Sequence, residues 1–298
     1  MSVRAGKEVQ SDMAKGMFVD TSICTGCKAC QVACKEWNGL EAEPDHFSPV
    51  PGIPYPVASN FTGNSYDNTG KLSARDWRHV LFIEQINSSR TASRWLFMSD
   101  SCKHCSDAAC MNVCPVEAYE RTDLGNVVLR QDKCVGTKLC NKACPYGVVK
   151  YSEKTRTSHK CTLCNDRIHN GMGTACAKAC PTGSILFGEV PELKIKADSR
   201  LAQLRALGEN KANIYGYSEA GGLKVFYLLM ENPAVYGLPD KPVVQQRRKL
   251  SVIDKSGSKF SALLLGMLAL MRFREGRGKK EAGTEAETVS ESGSGVNE

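Results

Sequence analysis

The chain has 298 residues, enough for one large domain or two small ones, and 15 of them are cysteines. This number is odd, and every cysteine except Cys134 has another within five residues, so a closed disulfide framework is disfavoured and metal sites are favoured. The formal net charge of +7 counts all thiols as neutral. Metal-bound thiolates would offset it, so the basic excess does not single out a nucleic-acid partner.

Outside the cysteine groups, the chain predicts short strands and long connections. Residues 1–18 carry scattered charges without an apolar core or twin arginine, so we expect no export signal there. Residues 44–75 are rich in Pro, Gly, Asn and Ser and predict an irregular loop. Residues 197–210 predict a surface helix that ends near Gly208. Strands are predicted at 78–86, 93–100, 125–134, 183–190 and 221–230.

The C-terminal part contains one strongly apolar run. Residues 260–271 would span about 18 Å as a helix, whereas a bilayer core is about 30 Å thick. Residues 251–273 therefore predict either a transmembrane helix or a helix that lies on a membrane surface or packs on a partner. Residues 281–298 contain Glu, Ser, Gly and Thr without Lys or Arg, and predict a disordered acidic tail.

The cysteines form four groups with the spacing of ferredoxins that bind two clusters. In such proteins three cysteines of one loop bind one cluster, and a fourth cysteine, usually followed by proline, binds the other. Pro115, Pro145 and Pro181 follow three of the groups, and Lys35 follows the first. The groups are Cys24, Cys27, Cys30 and Cys34; Cys102, Cys105, Cys110 and Cys114; Cys134, Cys140 and Cys144; and Cys161, Cys164, Cys176 and Cys180.

Groups two and three are separated as in an ordinary two-cluster ferredoxin, so we expect groups one and four to pair with each other. Each group then owns one cluster and lends one thiolate to another. The predicted ligand sets are Cys24, Cys27, Cys30 and Cys180 for cluster 1; Cys161, Cys164, Cys176 and Cys34 for cluster 2; Cys102, Cys105, Cys110 and Cys144 for cluster 3; and Cys134, Cys140 and Cys114 for cluster 4.

Thr137 stands where group three should have its second cysteine. A hydroxyl is a poor iron ligand beside thiolates, so the simplest expectation is a [3Fe–4S] cluster held by three cysteines. The alternatives are a [4Fe–4S] cluster with water or the Thr137 oxygen on its fourth iron, and an empty site. The first two outcomes would change one reduction potential in a chain of centres.

Zinc is the main alternative metal, because Cys-x2-Cys pairs such as Cys161 and Cys164 also bind zinc. His104 would then be a possible ligand, and otherwise a residue beside cluster sulfur. Each group has a lysine within two residues of a ligand cysteine, and these lysines are either solvated loop charges or cations that raise cluster potentials; they are Lys28, Lys103, Lys138 and Lys160.

Several motifs resemble the iron–sulfur beta subunit of respiratory formate dehydrogenases, within the four-cluster ferredoxin-type subunits of molybdopterin oxidoreductases. They are "CTGCKACQVACKEWNGL", "CKHCSDAACMNVCP", "KCTLCNDRI", "ACAKACPTGSILFG" and "MENPAVYGLPDKP". The resemblance covers residues 18–242. It implies a small, irregular α+β fold with two ferredoxin-like modules, one inserted in the other, plus a C-terminal helix. The first module would comprise 18–100 and 150–195, the second 101–149, and a partner-contacting extension 196–245.

The resemblance also implies a role without substrate chemistry, and we expect no catalytic residue. The chain would carry electrons from a molybdenum or tungsten pterin alpha subunit to a membrane cytochrome b subunit. Basic residues after 271 would place the tail in the cytoplasm and the clusters in the periplasm, exported with the partner. Thr137 and the short apolar run depart from the family pattern, and a soluble cytoplasmic complex is the alternative location.

Three other functions compete with this one. The chain could be the beta subunit of another pterin oxidoreductase, acting on a sulfur, arsenic or nitrogen oxyanion. It could be a zinc-stabilised interaction module. A free-standing ferredoxin is disfavoured, since such a carrier needs no segment like 191–298.

Overall fold

The computed structural model describes residues 14–41, 47–48, 57–58 and 71–246. Its small sheets and short helices confirm the α+β class predicted from the sequence. The strands are β1 Lys15–Asp20, β2 Phe47–Ser48, β3 Val57–Ala58, β4 Arg78–Ile86, β5 Ser93–Ser101, β6 Tyr119–Arg121, β7 Val127–Leu129, β8 Lys150–Ser152, β9 Thr157–His159, β10 Ile185–Glu189, β11 Asn213–Tyr215 and β12 Val225–Leu229. The α-helices are α1 Ala29–Trp37, α2 Ala109–Asn112, α3 Leu139–Ala143, α4 Asn165–His169, α5 Ala175–Lys178 and α6 Val190–Ala206.

A four-stranded sheet with the order β10–β1–β12–β11 forms the frame of the described chain. β1 pairs antiparallel with β10 and parallel with β12, so Met17 lies between Phe187 and Val225. Every residue of β12 is buried, as expected for an apolar strand that is covered on both faces. The sheet thereby joins the first described residues to residues 213–229.

The segment 196–245, predicted as an extension that contacts a partner, supplies β11 and β12, two of the four strands of this sheet. A continuous apolar strand such as β12 is stable only when both of its faces are covered, which places it in the core. The predicted boundary near residue 195 and the contact with a partner stay predictions.

Helix α6 begins at Val190, directly after β10, and not near Ala197 as predicted. Pro191 lies in its first turn, where the missing backbone N–H of proline costs nothing. Leu193, Ala197 and Leu204 form its buried face, and the helix packs against β1. Proline is thus a start signal here that the apolar pattern alone did not reveal.

Strands β4 and β5 form a hairpin that enters the interior at its base. Arg78 lies opposite Ser101 at that end, and Ile86 lies opposite Ser93 at the other. The three residues from Arg78 are buried, whereas Ile86 is 58% exposed. The hairpin therefore delivers a cation and serine hydroxyls to the interior, and β5 leads directly into Cys102.

Two small apolar clusters lie apart from the main core around the central sheet. One contains Ala108, Cys114, Ala118, Tyr119, Val127, Cys140 and Val149. The other contains Cys102, Val148 and Cys161. Cysteines form a large part of both, so the stability of the region around residues 101–161 depends on what those cysteines bind.

Within the part of the chain that the structure describes, no helix combines the length and apolar character needed to cross a bilayer. The helix predicted at 251–273 and the tail predicted at 281–298 lie outside the described residues, as does most of the loop predicted at 44–75. The insertion of one module, 101–149, into the other stays a prediction.

Candidate metal centres

The four cysteines predicted for cluster 1 line one cavity, the first site. Cys24, Cys27, Cys30 and Cys180 line the same small space. Cys30 lies in α1, and α5, which ends just before Cys180, packs against α1. Cys27 is exposed, whereas Cys30 is buried. One corner of this site therefore faces the protein surface.

The second site lies on the inner side of α1. Cys34, Cys161, Cys164 and Cys176 line one small space and are all buried. Cys34 follows Cys30 by one helical turn, so α1 presents one cysteine to each of two cavities. The structure thus brings together the four cysteines predicted for cluster 2, from two groups far apart in sequence.

The third site combines groups two and three. Cys102, Cys105, Cys110 and Cys144 line one small space. Cys144 directly follows α3, whose end turns the chain towards the cavity. These are the four cysteines predicted for cluster 3.

The three cysteines predicted for cluster 4 are called the fourth site here. Cys114, Cys134 and Cys140 pack in one small apolar cluster, which also includes Cys105, Cys110 and Cys144. The backbone N–H of Ala118 donates to the Cys114 sulfur at 3.3 Å, and the Ser158 hydroxyl oxygen lies 3.3 Å from the Cys140 sulfur. That these three cysteines hold a cluster of their own stays a prediction.

The loop that contains Thr137 and the loop that contains Cys27 have similar backbone φ angles at two matching positions. Gly26 and Gly136 have φ angles of 68° and 70°, and Lys28 and Lys138 have 61° and 59°. Each lysine precedes a helix that contains the next cysteine, and both Cys27 and Thr137 are exposed. Thr137 therefore occupies the structural position of a second cysteine.

Burial keeps several of these thiols protonated when no metal is bound. It raises the pKa of the Cys105 and Cys161 thiols to about 12 each, and that of Cys34 still further. Metal binding must therefore release protons, as is usual for cysteine ligands.

The walls of the second and third sites contain buried donors that lack acceptors. The Arg78 guanidinium lines the second site and is 2% exposed; its Nε has no hydrogen-bond partner among the described residues. His104 lines the third site; its Nδ1 accepts from the Val127 N–H, and its buried Nε2 is likewise unpartnered in the described chain. Burial holds the His104 pKa well below its usual value, so Nε2 carries the proton of a neutral ring. Donors and a cation at these walls fit an anionic sulfide cluster.

A site for a single metal ion such as zinc needs several ligand side chains grouped around one point. Among the described residues, no group of three or more His, Cys, Asp or Glu side chains is placed to hold one metal ion.

Arg78 is a site residue that the sequence pattern predicts only as the first residue of a strand. Of the four lysines beside cysteines, Lys103 and Lys160 are buried, and only the other two reach solvent. Sequence periodicity gives no sign of a buried cation, because its partners come from distant segments.

Comparison with known proteins agrees with this chemistry. A family model of a 4Fe–4S dicluster domain matches residues 93–190, which include groups two to four. The formate dehydrogenase-O iron–sulfur subunit of Escherichia coli K12 is 35% identical over 247 residues, covering 82% of this chain and 76% of that protein. The formate dehydrogenase iron–sulfur subunit of Haemophilus influenzae is 36% identical over 231 residues, covering 76% and 69%. A subunit of the anaerobic dimethyl sulfoxide reductase of E. coli K12 is 32% identical over 181 residues, covering 61% and 76%.

Sites lined by cysteines and a dicluster domain define an iron–sulfur protein that transfers electrons. At this level of identity, the chain belongs to the family of formate dehydrogenase iron–sulfur subunits, the electron-transfer subunits of molybdopterin oxidoreductases. The resemblance noted in the sequence is thereby confirmed. The chain is part of an enzyme complex and carries iron–sulfur clusters.

Proposed function

We propose that the chain is a non-catalytic electron-transfer subunit whose 15 cysteines hold four clusters. The first, second and third sites would each hold a [4Fe–4S] cluster through the four cysteines that line them. When bound, these groups accept and donate single electrons. The observation that carries the proposal is that cysteines from distant groups share a cavity, as Cys34 does with Cys161.

For the fourth site we propose a [3Fe–4S] cluster held by Cys114, Cys134 and Cys140. Two features support it: the loop has the backbone of a complete ligand loop, and Thr137 supplies a hydroxyl where Cys27 supplies a thiol in the first site. A cluster with three irons needs only the three thiolates that are present.

Neighbouring sites share residues, which supports the order first, second, third, fourth. Arg78 lies close to Cys30 of the first site and to Cys34 of the second. Lys160 donates to the carbonyl oxygens of Cys161, in the second site, and Val127, which lines the third. The Tyr119 ring lies near Cys110 of the third and Cys140 of the fourth. The two end sites have exposed corners where electrons can enter and leave.

The cross-group ligand sets are tested by Cys34→Ser. Loss of the second cluster frees the Cys161, Cys164 and Cys176 thiols, which are buried, so iodoacetamide should label them under anaerobic conditions at alkaline pH in mild denaturant, while Cys24, still bound to its cluster, stays protected. Peptide mass spectrometry reads out the labelled residues. Val32→Ser, at a 60% exposed position on the same helix, is the control and should change no labelling. Labelling confined to the group-one cysteines would refute the proposed pairing.

We further propose that the partner is a molybdenum or tungsten pterin subunit that oxidises formate, as the names of the relatives suggest. The acceptor would be a cytochrome b-type subunit in the bacterial inner membrane, with the clusters on the periplasmic side. A soluble cytoplasmic complex is the alternative location. The alternative partner is a pterin subunit that reduces an oxidised sulfur, arsenic or nitrogen compound, and the similarity to a dimethyl sulfoxide reductase subunit supports it.

Formate distinguishes these partners. In the purified complex, formate should reduce the clusters and produce the electron paramagnetic resonance (EPR) signals of reduced [4Fe–4S] centres. The second partner class predicts a different result. Formate should then leave the clusters oxidised, and a sulfoxide or an oxyanion should reoxidise clusters that dithionite has reduced.

A further inference from the structure

Arg78 is a buried cation without a carboxylate partner in the described chain. Its Nη1 and Nη2 donate to the hydroxyl oxygens of Ser99 and Ser101 at 2.9 and 3.0 Å, and Nη2 contacts the Met17 sulfur. Serine hydroxyls and a thioether carry no charge that could balance a guanidinium. A charge buried in this way needs an anion nearby.

The surroundings of Arg78 place it between two sites. Arg78 itself lines the second site, and Ser99 lines the first. The Ser99 hydroxyl oxygen lies 3.2 Å from the Cys30 sulfur, so Arg78, Ser99 and Cys30 form a continuous polar contact. The cation is therefore shared by the first and second sites.

Lys160 occupies the corresponding place between the second and third sites. It is 3% exposed, and its Nζ donates only to backbone oxygens within the described residues, those of Val127 and Cys161. Lys103 provides the contrast inside the same protein. It is equally buried, but Asp100 pairs with it, so that pair carries no net charge.

We propose that Arg78 and Lys160 act on the reduction potentials of the clusters: Arg78 raises those of the first and second sites, and Lys160 raises those of the second and third. This inference rests on the proposed occupation of the sites. Each transfer moves one electron, so the donor site is oxidised by one electron as the acceptor site is reduced by one. Reduction makes a cluster more negative, and a cation in a low-dielectric interior stabilises the reduced form most. Both cations raise the reduction potential of the second site, because it lies between them.

The test is an EPR-monitored redox titration of the purified complex. Arg78→Gln should lower two of the four potentials and leave two unchanged, because it removes the charge from one boundary. Arg78→Lys keeps the charge and should restore both towards the wild-type values. Lys160→Gln should also lower two potentials, one of which is also lowered by Arg78→Gln. Lys154→Gln, at a lysine that is 63% exposed, should shift none.

The outcomes separate this inference from the proposed function. If the wild-type complex lacks the iron and the EPR signals of four centres, the proposed function fails first. If the centres are present but both glutamine variants keep all four potentials, raise them, or shift all four equally, the electrostatic role is refuted. If Arg78→Gln loses iron, the potentials of the Lys160→Gln variant alone are used: two lowered potentials support the electrostatic role, and unchanged, raised or uniformly shifted potentials refute it.

Discussion

Thr137 is the residue that sets this chain apart from a four-cubane protein. Its loop matches the loop of Cys27 in backbone conformation and in exposure. A cysteine introduced at position 137 would therefore stand between two residues whose φ angles match those on either side of Cys27. The spacing of the cysteines in this one loop is what predicts Thr137 at the position of a missing ligand, and that role stays a prediction.

Thr137→Cys should convert the fourth site to a [4Fe–4S] cluster, because it completes the thiolate set. The EPR signal of an oxidised three-iron centre should disappear, and iron should rise by about one per subunit. Thr137→Ser is the matched control and should keep the signal. Persistence of the signal in the cysteine variant would mean that position 137 does not face the cluster.

The burial and the contacts of the charged residues between the sites could not be predicted from the sequence. Arg78 and Lys160 are buried cations in positions where local pattern favours a strand residue and a solvated loop charge. Their roles follow from contacts with Ser99, Val127 and other residues far away in sequence. No periodicity of a single segment encodes such contacts.

At the scale of elements, each ligand loop depends on the element packed against it. A Cβ at Gly136 would lie 2.4 Å from the carbonyl oxygen of Arg156, in the turn between β8 and β9. A Cβ at Gly26 would lie 2.8 Å from the Phe82 ring in the β4–β5 hairpin. The hairpins thus hold the cysteine loops in place through glycines that allow close approach.

Gly136→Ala should weaken the fourth site more than Gly147→Ala does. Both glycines have positive φ angles, 70° and 61°, so alanine costs about 1–2 kcal/mol at either. Only at Gly136 does the added methyl group also meet backbone, whereas nothing lies within 4 Å of a Cβ at Gly147. Thermal denaturation and iron retention on mild heating measure the difference. Equal losses in the two variants would argue against the loop packing described here.

At the scale of the whole molecule, the described chain has two kinds of core. The central sheet has a large, mainly apolar core, in which Cys30 and Cys176 are a minority, whereas the clusters around Cys114 and Cys102 are small and cysteines are a larger share of them. The sequence predicted β4, β5 and β12 as strands, but not the order of the central sheet. β1 pairs with β12 across some 200 residues of sequence, and local patterns contain no information on such pairing.

Anaerobic removal of iron should therefore unfold part of the protein. Hydrogen exchange should lose protection in β6 to β9, which surround the third and fourth sites, because metal binding supplies the stability there. Protection in β1 and β12 should largely remain. Uniform loss across all strands, or no loss anywhere, would contradict a division into an apolar core and a metal-dependent region.

The central claim is that the chain holds four clusters, one of which has three irons. The most direct test is EPR of the anaerobically purified, mildly oxidised complex together with iron analysis. Oxidised [4Fe–4S] centres are silent, whereas an oxidised [3Fe–4S] centre is paramagnetic. The account predicts a signal near one spin per subunit and about 15 irons, after subtraction of the partner's own iron. Silence with about 12 or about 16 irons would contradict it, since the fourth site would then be empty or would hold four irons.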